Sequence, residues 1–409
     1  MERSARPASD PATDAAALLL RLGVVVLTIL LPCAAVVSRR PLFVLTPIGL
    51  ILMILGSRLA PLRRPRTLPK LGRACASPLG VTIILFVVWA GMSLAWTPFP
   101  QAAADRFLKT AGTVLLAMAA FGSLPNHVRA SNSNLLPIGA AATALALVVI
   151  ALVAPAIVHA DEADTNTVHR ATIGLVILVW PALGALAIRE RMAAAGIVAV
   201  AVAVATVAVW LPSALAALIV SILTFSFAFS KPGRTGWVLG LGAAFLILAG
   251  PALPLVATAV VGDRIDPNGP LAFLPAWAAA VKSDGLRLLT GHGFDTAVRA
   301  YESGRLGANA PRGLLFELWY ELGLPGAAVS AALAYFVFTA AGRASNVIAP
   351  FLLAALAAIV ALAASGQAIS QLWWLTLVCV EAASFSIVIR AQHTVGRVRA
   401  KVVGAPSAG

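Results

Sequence analysis

Charge is the scarcest commodity in this chain: only 11% of its residues are Asp, Glu, Lys or Arg, against roughly 25% in a soluble domain. That shortage excludes an ordinary water-soluble globule. The three cysteines, Cys33, Cys75 and Cys379, follow no paired spacing, which excludes a disulfide framework and a cysteine-rich metal site. Near the C-terminal third there is only one long hydrophilic interruption, of about residues 263–312. The first 14 residues have neither an apolar core nor a cleavage site, so the first apolar run is expected to be an uncleaved anchor rather than a signal peptide.

Apolar sequence fills the rest. Hydrophobic residues make up 60% of the chain and gather in twelve runs, near 15–37, 42–57, 78–96, 107–124, 135–158, 171–189, 192–210, 213–230, 236–262, 313–340, 346–365 and 368–390. About 20 apolar residues cross a bilayer as a helix, and in lipid the backbone must satisfy its own hydrogen bonds. The expected fold is an all-α polytopic membrane protein of about 12 transmembrane helices (10–12), with one larger periplasmic loop between helices 9 and 10. The lower counts arise because the second run is short and because only Leu211 and Pro212 part the seventh from the eighth. The chain divides into a tail of 1–14, helices 1–9 over 15–262, the loop of 263–312, helices 10–12 over 313–390, and a tail of 391–409.

Orientation follows the basic residues. With the N-terminus in the cytoplasm, most of them fall on inner segments, including Arg58, Arg63, Arg64, Arg66, Lys70 and Arg73, then Arg189, Arg191, Lys231, Arg234, Arg343 and Arg390. Asp105, Asp161, Glu162, Asp164, Asp263, Asp266, Asp284, Asp295 and Glu302 fall outside, and only Arg39 and Arg40 argue against the assignment. Both termini are therefore expected in the cytoplasm, with the 263–312 segment on the periplasmic or exterior face. The net charge of +14 sits on short loops beside apolar runs, where anionic membrane lipids attract it, and nucleic acid is not an expected partner.

Local motifs sharpen the reading. Trp89, Ser93, Trp96 and Pro98 form a segment that resembles the W…S..W…P stretch of bacterial O-antigen ligases and related polysaccharide polymerases. Further resemblances follow in the family's order: Arg170 ahead of Trp180 and Pro181, the helix start at Pro212 and Ser213, and Trp277 upstream of Gly291, His292, Gly293 and Phe294. Glu321, Leu322 and Gly323 are similar to its E-L-G, and Gln371, Trp373 and Trp374 to its W-Q-x-W-W. The resemblance covers roughly residues 80–380. It implies transfer of a glycan from undecaprenyl pyrophosphate to a lipid A-core or other glycan acceptor at the periplasmic face. A polymerase would use the same donor and differ in its acceptor.

Such a reaction releases a pyrophosphate, so it needs cations on the departing group and a base for the acceptor hydroxyl. No cofactor and no metal are expected. Arginine binds phosphate oxygens through a planar fork, and the pyrophosphate candidates are Arg170 at a helix mouth, Arg312, and Arg299 beyond the Gly291–Phe294 turn. The chain departs from the family where its histidine pair is expected, since Ala310, Pro311, Arg312 and Gly313 occupy that interval, and Phe273 stands where a second arginine is usual. An arginine cannot serve as the base. The base candidates are Glu317 and Glu321, four residues apart on one helix face, and His292, of a residue type that titrates near neutral pH. Two other classes stay open: a catalytically inert relative, and a transporter of two six-span halves, against which no internal repeat is visible.

Overall fold

The computed structural model describes residues 11–38, 40–59, 72, 75–125, 128–158, 167–261, 265–266, 269, 271–283, 285–307, 309–366 and 372–402. Among them all regular structure is helical. In chain order the principal helices are α1 (Pro11–Val25), α2 (Leu31–Val37), α3 (Arg40–Leu59), α4 (Pro78–Met92), α5 (Pro100–Ser123), α6 (Leu135–Val153), α7 (Thr167–Ala187) and α8 (Met192–Val209). They continue as α9 (Pro212–Ser230), α10 (Pro232–Leu248), α11 (Ala252–Val261), α12 (Phe273–Ser283), α13 (Thr296–Glu302), α14 (Leu314–Gly342), α15 (Ala349–Ala364) and α16 (Leu372–Val402).

Nine of the described helical segments are long and apolar enough to cross a membrane, and a tenth if α10 and α11, bent by 78°, form one span. That is the make-up of a multi-pass membrane protein. Two of the twelve apolar runs fall short for physical reasons. α5 carries Asp105, Arg106 and Lys109 in its first turns, and α15 has only 16 residues, or about 24 Å of rise. The bend between α10 and α11 falls at Gly250 and Pro251, one residue without a side chain and one without an amide donor. The break between the seventh and eighth runs is real: α8 closes on Trp210, at φ 52°, and Leu211 is extended before Pro212.

Two compact units divide the chain. The first comprises Met1–Arg73, Val114–Trp210 and Cys379–Gly409. Its central helix is α7, 83% of whose apolar window is buried, against 28% for α8, which packs on it from outside. α1 and α3 pair closely because a side chain at Gly23 would meet the Gly49 carbonyl at 2.8 Å, and one at Gly56 the Leu20 amide at 2.7 Å. Between α1 and α2 the chain runs through a π turn, Val26–Leu30, where the Leu31 amide reaches back five residues to the Val26 carbonyl.

The second unit comprises Ala74–Thr113 and Leu211–Val378. Its axis is α14, which packs against α10, α4 and α15. Gly236 lets α10 lie on α14: a side chain there would meet the Phe338 carbonyl at 2.6 Å. α12, α13 and the single helical turn Arg287–Thr290 fill the segment between α11 and α14.

Candidate functional site

Everything in the second unit's site hangs on a defect in α14. Pro325 has no amide, so the Glu321 carbonyl four residues earlier lacks its helical donor. Gly323 lies at φ 60°, ψ −159°, a conformation essentially reserved for glycine. The carbonyls around the break are taken by groups from elsewhere: the Tyr320 oxygen by the His292 amide at 2.8 Å, the Glu321 oxygen by the Gly293 amide at 2.9 Å, and the Leu322 oxygen by Trp89 Nε1 at 2.8 Å.

The turn that supplies two of these amides is built for close approach. Gly291 and Gly293 have φ of 72° and 99°. A side chain on Gly291 would run into the Glu321 carbonyl, and one on Gly323 would meet the Gly291 nitrogen at 2.6 Å. A side chain on Gly293 would meet the Thr97 Cα at 2.7 Å. Ser93, fully buried, donates to the Ala90 carbonyl at 2.7 Å and accepts from the Phe294 amide at 3.0 Å. The three motifs Trp89–Trp96, Gly291–Phe294 and Glu321–Gly323 thus meet in one joint, sealed by Phe294, Leu318, Trp319 and Leu322.

Glu321 is the joint's second clasp. Its carboxylate, 6% exposed, accepts from the amides of Asp295 at 3.2 Å and Ala297 at 3.0 Å. It thereby satisfies amides at the start of α13 that Asp295, itself in the left-handed conformation, does not cap with its own side chain. The Asp295 side chain instead lies buried between two guanidiniums, Arg106 at 3.2 Å and Arg299 at 3.0 Å. Burial is the larger influence on its carboxyl and pushes it above the usual range, while Arg106 and Arg299 pull it down.

Beside the joint lies a small, half-open groove walled by the aromatic rings of Trp277, Phe316, Trp319 and Tyr320, with Arg287 and His292 its polar members. The His292 ring stacks on Tyr320 at 4.0 Å and Tyr320 on Phe316 at 5.3 Å, with Trp277 edge-on to Phe316 at 6.0 Å. His292 Nδ1 lies 3.0 Å from the Tyr320 carbonyl. A carbonyl only accepts, so Nδ1 carries the proton, and in the neutral ring Nε2 holds the lone pair.

The remaining candidates sit apart from that groove. Glu317 is buried near Tyr301, whose phenol is pushed up by burial and then by the Glu317 carboxylate. Tyr301 donates to the Pro311 carbonyl, and the exposed Arg312 lies over its ring at 5.2 Å. Arg305 covers Phe99 at 5.3 Å. Arg170 belongs to the first unit, half-buried in the opening turn of α7. The acids Asp161, Glu162 and Asp164 and the motif residue Gln371 lie outside the described residues. Among the described residues no three His, Cys, Asp or Glu converge on a possible metal position.

The residues that sequence reasoning passed over are Asp295 as an ion-pair centre, Arg106, Arg287 and Tyr320. The four-residue spacing of Asp295 and Arg299 was a legible signal; nothing in the sequence announced Arg106 as their third member. No protein-family model matches the chain, and no curated protein matches it.

Proposed function

We propose that the protein is a membrane glycosyltransferase of the O-antigen ligase type, moving a glycan from undecaprenyl pyrophosphate to a hydroxyl of a lipid A-core or other glycan acceptor at the periplasmic face. The observation that carries this reading is the groove in which His292, with its tautomer set by the Tyr320 carbonyl, stands beside Arg287 on a wall of aromatic rings. Flat aromatic faces suit the C–H faces of sugar rings. In the reaction the acceptor oxygen attacks the anomeric carbon, its proton passes to His292 Nε2, and the bond to the carrier's phosphate oxygen breaks. The departing pyrophosphate leaves with the electron pair, and Arg287 meets the charge through its fork. In this reading Glu321 and Asp295 position: the first holds the His292 turn by the amides just after it, and the second ties α5 to the start of α13 through Arg106 and braces α13 itself through Arg299.

The test is transfer by purified protein supplied with carrier-linked glycan and a glycan acceptor. His292→Ala should lose about 10² to 10⁴ in rate, the usual worth of a positioned base, while still binding the carrier. Trp277→Ala should weaken glycan binding before it slows turnover. A parent protein that binds the carrier and transfers to no acceptor would overturn the proposal, and a His292→Ala variant with the parent's rate would remove His292 as the base.

A further inference from the structure

The first unit contains an ionisable group that this reaction does not use. Glu381 lies in the membrane-crossing part of α16, is 3% exposed, and has no hydrogen-bond partner for either carboxylate oxygen among the described residues. A carboxylate placed so deep without a partner is costly, and such residues mark ion or proton positions in membrane proteins.

One helical turn further on, and so on the same face, Ser384 lines a small cavity with Thr28, Pro32, Leu136, Ala140, Thr143, Leu175 and Leu178, with room for about one water-sized occupant. Three hydroxyls line it, and each already donates its O–H within its own helix. Thr28 donates to the Val24 carbonyl at 2.8 Å, Thr143 to the Gly139 carbonyl at 2.8 Å, and Ser384 to the Val380 carbonyl at 2.8 Å. What remains on each is oxygen acceptor capacity, reduced at Thr143, whose oxygen also receives the Cys33 thiol at 3.6 Å. Thr28 also sits in the π turn Val26–Leu30, four residues before Pro32, which has no amide to return to the Thr28 carbonyl. The cavity therefore presents oxygen acceptors and no committed donor, with a carboxylate one turn away.

We propose that Glu381, with the hydroxyl oxygens of Ser384, Thr28 and Thr143, forms a binding site for a monovalent cation inside the first unit. A proton carried by the carboxyl or by a water beside it, and a sodium ion, share this chemistry: one positive charge met by oxygen lone pairs alone. The site is separate from the groove in the second unit and stands whether or not that groove transfers glycan.

The test uses the full-length protein in detergent and in liposomes. Thermal unfolding in sodium chloride against choline chloride reads sodium: a rise in Tm of about 4 °C is expected if sodium binds, absent in Glu381→Gln and reduced in Ser384→Ala. Infrared difference spectra between acid and alkaline buffer read the proton: a carboxylic acid band that appears on acidification and is missing from Glu381→Gln assigns it. If Glu381→Gln does not fold, Thr143→Val and Ser384→Ala carry the same comparisons, since each removes an acceptor and leaves the carboxylate. Either response, tied to these residues, supports the site. A parent protein showing neither response, or showing both undiminished in the variants, overturns it.

Discussion

Glu321 accepts from the amides of Asp295 and Ala297, so replacing it separates holding from proton transfer. Glutamine keeps one acceptor oxygen and turns an NH₂ toward the other amide, which should cost about 1–3 kcal/mol of stability, read as a fall in Tm. A variant that keeps the parent's Tm and loses transfer would instead make Glu321 a chemical participant. Asp295 gives a second test. Its carboxyl is raised by burial, so its native value stands above the unfolded value of about 4. A group shifted in that direction adds stability below the unfolded value, and the contribution is lost as pH rises through the native one. Asp295→Asn keeps the shape and cannot ionise. Its Tm should therefore fall less than the parent's between pH 4 and pH 7, and an equal fall would show that Asp295 is not the titrating group. At this scale the sequence carried names without partners. His292, Glu317 and Glu321 stood out as residue types able to move protons, but which carboxylate faces amides and which ring nitrogen meets a carbonyl depends on chain segments far apart.

At the scale of elements, glycine positions separate backbone need from simple tolerance. Gly323 within α14 occupies a conformation that a side chain would strain, and its missing Cβ faces the Gly291 nitrogen. Gly242 within α10 has nothing within 4 Å of that position. Gly323→Ala should cost several kcal/mol, from about 1–3 for the backbone alone plus the collision, whereas Gly242→Ala should be neutral or gain up to about 1 kcal/mol. Unfolding midpoints of the two variants check the contrast, and equal effects would mean that the break in α14 relaxes without consequence. The elements themselves were largely readable. Each of the twelve apolar runs corresponds to a helix or a bent pair, because hydrophobic length is a property of contiguous residues. The break at Gly323 was hidden, since a glycine followed two residues later by a proline inside an apolar run is tolerated in many membrane helices. Where α14 stops being a helix depends on the amides of His292 and Gly293 arriving from outside.

Across the whole molecule, α14 provides the simplest check on orientation, because Ser303 precedes it and Ser345 follows it, both exposed. In a variant lacking Cys33, Cys75 and Cys379, a cysteine at position 303 should react with a membrane-impermeant reagent in intact cells and one at 345 should not. The reverse pattern would invert the assignment, and equal labelling would mean that α14 does not cross. The joint has one more consequence, for the protein's synthesis. Trp89 and the Leu322 carbonyl that receives it are 233 residues apart, and Ser93 and Phe294 are 201 apart. A ribosome adds about 5–20 residues per second, so α4 waits on the order of 10–50 s in the bilayer with its indole and hydroxyl facing no final partner. During that interval the nascent chain depends on insertion machinery or lipid headgroups to shelter those groups. Chains cut short anywhere before Leu322 never give the Trp89 indole its partner, and quality-control proteases should meet them as permanently half-assembled.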